Sequence, residues 1–564
     1  MRQLGVCLVT AMFAVTGTAL VASSPASAST FQKATTTAPT EYVVLQNANS
    51  GALAAKAAVE KAGGTVVSEN SALGYVVATS TKSDFQAKIN ADRTVLGAAG
   101  NQIIGQAPEE KQASQFQIEQ LRKSTSRSSK PGGHKGSAVS SEPLADLQWD
   151  MKQIDATKKG SYASQPGSRK VLVGVIDTGV DGSHPDIAPN FSKKLSRNFV
   201  TDIPEIDGEC EVASCKDAAD VDDGGHGTHV ASTIGSPING IGIAGVAPNV
   251  TLVNIRAGQD SGYFFLQPTL DALTYAGDIG VDVVNMSYYV DPWLFNCTNN
   301  PADSPAEQRE QQVIRTATQR ALTYARNKGV LPVSAEGNEA TDLNNPTTDS
   351  TSPDYPEGAA KDRTIDNSCI NVPAESKGVL TVSSTGPSKR KAYYSNYGTE
   401  ETDVSAPGGD AYDTADGSRD LSGTVLAAFP KHLAIEEGLI DENGEPLTPA
   451  VVKSCKGSVC GYYQYLQGTS MASPHAAGVA ALVVSEFGHK DKSGLGLDPA
   501  KTEAKVLKSA TETACPNPRT FKYHRILTTG AIVDSEATCE GPKSDNGFYG
   551  HGIVNAKAAV SGRL

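Results

Sequence analysis

Apolar and polar positions divide this chain into three stretches of different character. From Glu41 to Ile104, short apolar runs alternate with Ala-rich or amphipathic segments. Glu41–Gln46, Thr65–Glu69 and Gly74–Thr79 read as strands, Gly51–Ala62 and Ser83–Asn90 as helices, and Val95–Ile104 as a last extended segment. This β-α-β-β-α-β order predicts a small α+β domain of ferredoxin-like type over 41–105. Residues 106–143 are polar, rich in Ser, Lys, Arg and Gln, and contain Pro131-Gly132-Gly133. They have little to bury and read as a linker. From 144 to 564 the pattern changes again. Val171–Ile176, Val250–Arg256, Val281–Ser287 and Gly329–Val333 are continuous apolar or β-branched runs, spaced by helix-length segments. Strands buried on both faces belong to a mainly parallel sheet flanked by helices, an α/β architecture.

The ends of these runs carry chemistry. Val171-Leu172-Val173-Gly174-Val175-Ile176 delivers Asp177 at a strand's C-terminal end, followed by Thr178-Gly179. Asp223-Gly224-Gly225-His226-Gly227-Thr228-His229 presents His226 from a Gly-rich turn before a helix. Gly329–Val333 leads into Ser334-Ala335-Glu336-Gly337-Asn338, and Gly468-Thr469-Ser470-Met471-Ala472-Ser473-Pro474 opens an Ala-rich apolar run. Pro474 suits a first helical turn, which places Ser470 at a helix N-terminus, where free N–H groups favour a developing anion. A serine hydroxyl needs an imidazole to take its proton and a carboxylate to hold that imidazole. The oxyanion formed next needs fixed donors, for which Asn338 and the Ser470 N–H are the candidates. A metal reading of His226 and His229 fails, because the His-Glu-x-x-His pattern of zinc hydrolases is absent.

These four segments, in this order, resemble subtilisin-like serine proteases, the peptidase S8 family, over most of the chain from about Leu144. The resemblance implies Asp177 as the orienting carboxylate, His226 as general base and then acid, Ser470 as nucleophile and Asn338 as oxyanion donor. It implies a secreted serine endopeptidase that acts on protein or peptide substrates through an acyl-enzyme. Residues 41–105 resemble the family's inhibitory, I9-type propeptide, which makes the chain an autoinhibited zymogen with its own propeptide as partner. Two alternatives stay open: a dedicated processing protease with a narrow substrate, and a non-catalytic peptide-binding or inhibitory relative.

Composition narrows the setting. The formal net charge is −13, which argues against a nucleic-acid binder. Arg2, the apolar stretch Leu4–Leu20 and Ala26-Ser27-Ala28 make residues 1–28 a signal peptide rather than an anchor. No later apolar run spans a bilayer, so the expected product is an exported monomer without a membrane segment. Of nine cysteines, Cys7 falls in the signal. Spacing suggests Cys210–Cys215, Cys455–Cys460, Cys297–Cys369 and Cys515–Cys539 as disulfides, out of 105 possible connectivities. Four stretches, Thr201–Asp222, Asp291–Gln311, Ala340–Asn371 and Gly409–Tyr465, read as long, loop-like insertions, each holding a cysteine.

By the same resemblance, substrate lies extended between two backbone edges, Ser287-Tyr288-Tyr289 and about Gln259–Gly262, with Gly337 nearby. Tyr289 and Val290 stand where the family usually has glycines. Tyr289 is therefore expected either to reshape the substrate subsites or to pack sideways against the next insertion. A structural calcium is also implied. Asp186 and Asn239 match family ligands, with the carbonyls of Pro237, Ile241 and Ile243, an all-oxygen set suited to a hard cation. Asp146 and Gln148 are the candidates for the remaining N-terminal ligand.

Overall fold

The N-terminal apolar runs form β1 (Thr40–Gln46), α1 (Leu53–Ala62), β2 (Thr65–Asn70), β3 (Tyr75–Ser80), α2 (Phe85–Ala91) and β4 (Val95–Gln102). The structure is a computed structural model that describes residues 39–48, 50, 53–102, 140–356, 358–491 and 494–564. The signal segment 1–28 and nearly all of the linker 106–143 lie outside the described residues. The four strands pair antiparallel in the order β2-β3-β1-β4, the order of a ferredoxin-like sheet. Period-two alternation gives this sheet two apolar faces. Val44, Val76 and Ala98 face Ala55, Val59, Phe85 and Ile89 of α1 and α2.

The second sheet has seven strands: β5 (Leu172–Ile176), β6 (Arg197–Asn198), β7 (Thr251–Arg256), β8 (Val283–Met286), β9 (Leu331–Ala335), β12 (Leu380–Thr385) and β13 (Val404–Pro407). Their order is β13-β12-β9-β8-β5-β7-β6, and every neighbouring pair is parallel. Helices α3 (His226–Gly235) and α6 (Thr469–Phe487) pack on one face, where Val173 and Val175 point. Helices α4 (Leu266–Ile279) and α5 (Pro305–Asn327) cover the other, which receives Leu172 and Ile176. Each such fully buried Val, Leu or Ile contributes about 1.5–3 kcal/mol. The expected α/β fold is the one observed.

The free face of the N-terminal sheet closes on α4 and α5. Val43, Leu45, Tyr75, Val77 and Ala99 join the apolar layer of Leu266, Leu270, Val313 and Ala317. The seam is also tied by polar groups. Gly100 N donates to Glu310 Oε1 (2.9 Å), Arg320 Nη2 to Gln46 O (3.0 Å) and Gln267 N to Asn101 Oδ1 (2.9 Å).

All four of the loop-like insertions contain regular structure, the one at Thr201–Asp222 only a single helical turn, Pro204–Asp207. Pro305 begins a 23-residue helix inside the stretch read as Asp291–Gln311. Its start is a capping box, with Ser304 Oγ accepting from Glu307 N (3.3 Å) and Glu307 Oε2 from Ser304 N (2.6 Å). The Gly409–Tyr465 stretch forms a three-stranded antiparallel sheet, β14 (Val425–Phe429), β15 (Val451–Lys456) and β16 (Val459–Leu466), in the order β14-β16-β15. A two-residue pair, β10 (Thr348–Asp349) and β11 (Arg363–Thr364), lies within Ala340–Asn371. The four disulfides are Cys210–Cys215, Cys297–Cys369, Cys455–Cys460 and Cys515–Cys539, as spacing suggested.

Candidate active site

Asp177 follows the last residue of β5, the strand flanked by β7 and β8. It is fully buried, and its carbonyl accepts from Ala257 N and Gly258 N (both 3.1 Å). Its Oδ1 accepts from Thr178 N (2.8 Å) and meets His226 Nδ1 at 2.8 Å. His226 is the first residue of α3. The chain on either side of it needs glycine. Gly225 has φ +79°, and a Cβ on Gly227 would lie 2.0 Å from the Gly179 carbonyl. The close approach of α3 to the Asp177 strand end depends on that missing carbon.

Sequence reasoning did not single out Asp222, four residues before His226. It is fully buried and accepts from Gly225 N (2.9 Å), Thr228 N (2.8 Å), Thr228 Oγ1 (2.5 Å) and Thr178 Oγ1 (2.9 Å). It thereby ties the histidine turn to the Asp177 strand. An acid within a Gly-rich turn next to a helix start was the available signal.

Ser470 is the second residue of α6. Pro474 therefore sits in the second turn, not the first as the sequence suggested. The missing Pro474 N–H would have bonded the Ser470 carbonyl. That carbonyl instead accepts from Ser287 Oγ (3.1 Å), which is also bonded to Ser473 Oγ (2.9 Å) and Asn285 Nδ2 (2.8 Å). Ser470 Oγ donates to Ser287 O at 3.3 Å. The proline thus couples the Ser470 turn to the end of β8.

Asn338 stands in the loop after β9. Its Oδ1 accepts from Thr469 N and Thr469 Oγ1, both 2.9 Å, and Thr469 Oγ1 accepts from Gly337 N (3.1 Å). With its oxygen fixed on Thr469, the amide turns its Nδ2 donor the other way. Ser470 N belongs to the first turn of α6, whose N–H groups have no intrahelical acceptor. The structure brings Asp177, His226, Ser470 and Asn338 to the C-terminal edge of the parallel sheet.

The other histidines of these segments are structural. His229 Nε2 lies between Val425 O (3.2 Å) and Gln464 O (3.1 Å), and His475 bridges Met471 O (2.8 Å) and Asp150 Oδ2 (3.1 Å). His184 bonds Tyr462 O (3.0 Å). Burial pushes His229 down to about 3 and His184 to about 4, so both stay neutral.

The expected substrate edges lie beside this group. Ser287 and Tyr288 are buried, and the Tyr288 ring stacks on Phe264 at 4.0 Å. The Tyr289 hydroxyl reaches Asp354, in the insertion that follows β9. Gln259–Gly262 is a tight turn, with Gly262 N donating to Gln259 O (3.0 Å) and Gln259 N to Tyr263 O (2.9 Å). It is braced by the Thr201–Asp222 insertion. Asp207 Oδ1 accepts from Ser261 N (2.9 Å) and Ser261 Oγ (2.7 Å), and buried Arg256 binds Asp202 (2.7 Å), Asp217 (2.6 Å) and Asp260 (2.9 Å).

The calcium expectation falls on a loop that meets two buried carboxylates, Asp186 and Glu142. Asp186 is fully buried; its carboxylate accepts from Ile243 N (3.0 Å), Tyr463 Oη (2.8 Å) and Asn239 Nδ2 (3.0 Å). Burial without a cationic partner pushes it up to about 7. A side chain outside the expected candidates, Glu142, reaches this loop from the N-terminal side. Gln148 is spent on Ala244, donating to its carbonyl (2.8 Å) and accepting from its N–H (3.1 Å), while Asp146 is exposed. Glu142 Oε2 accepts from Gly240 N in the same loop (2.7 Å), and its buried Oε1 has no hydrogen-bond partner among the described residues. A separate acidic group, Asp202, Glu211, Asp217 and Asp260, has ligand atoms within 4.8 Å of one another and could hold a cation, although Arg256 already lies among them.

Residues 168–552 match the model of the subtilase family, peptidase S8. The chain belongs to the subtilase family. It is a serine-type endopeptidase. It is 30% identical over 389 residues to the thermophilic serine proteinase of Bacillus sp. (strain AK1), covering 69% of this chain and 65% of that relative. It is 27% identical over 390 residues to subtilisin DY of Bacillus licheniformis, covering 69% of this chain and 90% of that protein. In fold it resembles the epidermin leader peptide processing serine protease of Staphylococcus aureus, with a TM-score of 0.60 and 21% identity, over 93% of this subtilase and 98% of the other chain. Among the described residues, no helix is long and apolar enough to cross a membrane.

Proposed function

We propose that this subtilase is exported as a zymogen and cleaves peptide bonds through an acyl-enzyme on Ser470. His226 takes the Ser470 proton as Oγ attacks the scissile carbonyl. Asn338 Nδ2 and Ser470 N hold the oxyanion. The C–N bond then breaks, the amine leaving with the proton from His226, and water hydrolyses the ester by the same path in reverse. Asp177 fixes the imidazole with its proton on Nδ1 and stabilises the imidazolium. The observation that carries this reading is the buried 2.8 Å contact between Asp177 and His226, in a site where Ser470 opens α6 beside Asn338. The test is labelling by a fluorophosphonate probe after the N-terminal domain is removed. Label is expected on wild type and not on Ser470→Ala. An unlabelled wild type would support the non-catalytic alternative instead.

The N-terminal domain serves as the removable inhibitor. In support, β4 ends at Gln102 beside the start of α4, where Asn101 meets Gln267, five residues beyond the Gln259–Gly262 edge. Chain leaving this domain is thus released next to the substrate edge. Residues 1–28 direct export, which suits a chain with four disulfides. A narrow, dedicated processing role is favoured by the engagement of Tyr289 with the insertion at Asp354.

Calcium binds at Asp186, Asn239 and Glu142 with the carbonyls of Pro237, Ile241 and Ile243, neutralising buried carboxylates without entering the chemistry. Asp186 supplies a pH test. Its native pKa of about 7 lies above the unfolded value near 3.9. Between these values the metal-free native state holds a proton that the unfolded state lacks, so metal-free stability falls as pH rises through the window. Calcium needs the ionised carboxylate, so its stabilisation grows over the same window. The stability gain on adding calcium at about a hundred times its Kd at pH 8, read from the shift in melting temperature, is expected to approach about 2.7 kcal/mol at pH 8 and to shrink at the same calcium concentration towards pH 5. An equal gain at both pH values, or none, would count against this site.

A further inference from the structure

A cavity of about 10 Å³ is lined by two walls, Ser287, Tyr288 and Tyr289 from the segment after β8 and Ala335 and Gly337 from the end of β9, together with Asn371. That is the room one water molecule needs. Both walls are fixed to the reacting groups. Ser287 O accepts from Ser470 Oγ (3.3 Å), and Gly337 directly precedes Asn338 and donates to Thr469 Oγ1 (3.1 Å). Ser470 Oγ and Asn338, the groups that would hold the attacked carbonyl, are thus bonded to or adjacent to residues that line the slot.

We infer that the slot receives the side chain of the residue whose carbonyl is attacked, that it admits only glycine, alanine or serine there, and that Tyr289 sets the limit. This rests on the reading of Ser470 as the nucleophile. Tyr289 is held in place from outside the slot. Its ring packs against the cluster of Leu294, Phe295, Leu343 and Ile365, and its hydroxyl bonds Asp354. Asp354 is itself anchored, its N–H donating to Pro292 O (3.0 Å), while Asp291 accepts from Phe264 N. The Cys297–Cys369 disulfide joins the two insertions that supply these residues. Tyr289 therefore both packs sideways and walls the slot, combining the two outcomes its position left open. Close-packed walls do not yield to extra methylenes without a cost, and in binding pockets one methylene is worth about 10–200-fold in discrimination.

The test uses the mature enzyme and a set of chromogenic peptide anilides that differ only at the residue before the scissile bond. Active sites are titrated first with a fluorophosphonate. For wild type, kcat/KM with alanine or serine at that position is expected to exceed that with leucine, phenylalanine or arginine by at least ~10-fold. Tyr289→Gly is expected to raise the phenylalanine-to-alanine ratio by at least ~10-fold, with Tyr289→Ala as a second variant should the first fail to fold. A full titre with a wild-type preference for phenylalanine, leucine or arginine overturns the slot assignment. So does an unchanged ratio in folded Tyr289 variants. A zero titre marks the failure of the nucleophile reading instead.

Discussion

Replacing Ser470 by alanine is expected to lower kcat by about 10⁶-fold, a scale set by loss of the nucleophile in proteases of this family rather than by the distances above. The geometry explains why the loss should be chemical and not structural. The carbonyl of Ser470 is held by Ser287 Oγ, and the preceding Thr469 is held by Asn338. Neither contact uses the Ser470 hydroxyl, which donates to Ser287 O at 3.3 Å. Alanine fits the start of a helix, and the melting temperature should stay within about 2 °C of wild type, the shift of roughly half a kcal/mol in a large domain. Turnover of a peptide anilide and thermal unfolding measure the two sides. If the domain separates by self-cleavage, Ser470→Ala also accumulates uncut precursor. A variant that keeps more than about a hundredth of wild-type kcat would leave the nucleophile unidentified.

The parts of the site that were legible in the sequence are those in which one short segment contains both the functional side chain and the turn that aims it. The apolar run into Asp177, the glycines around His226 and the helix opened by Ser470 are of this kind. Residues whose partners are distant in sequence were not legible. Glu142 meets Gly240 only because the chain returns 98 residues later, so Asp146 and Gln148 were equally plausible on spacing. The direction of the Tyr289 side chain is decided by Asp354, 65 residues away. The fold followed the same rule. Fully buried strands declared themselves by continuous apolar runs. The start of α5 did not, because Pro305-Ala306-Glu307-Gln308-Arg309-Glu310 reads as a polar loop unless the Ser304–Glu307 capping box is noticed. The β15–β16 hairpin was hidden by the polar residues and tight turn of a small sheet. Insertions thus looked shapeless where their order comes from tertiary contacts and disulfides.

Asp177 gives a second large effect, and one whose two parts can be separated. Asp177→Ala is expected to reduce kcat by about 3 × 10⁴-fold, again a scale from related enzymes. It removes both the acceptor that orients His226 and the charge that stabilises its protonated form. Asp177→Asn separates these roles here because Oδ1 accepts from both Thr178 N and His226 Nδ1, while Oδ2 has no hydrogen-bond partner among the described residues. Two donors converge on the Oδ1 position, so the amide oxygen belongs there and the NH₂ group takes the Oδ2 position. The imidazole then keeps its tautomer and loses only the charge. The asparagine variant should therefore be impaired less than the alanine variant, with kcat between those of Asp177→Ala and wild type. Equal losses in the two would mean that orientation contributes nothing beyond charge. A loss under about 10²-fold for Asp177→Ala would remove Asp177 from the catalytic group altogether.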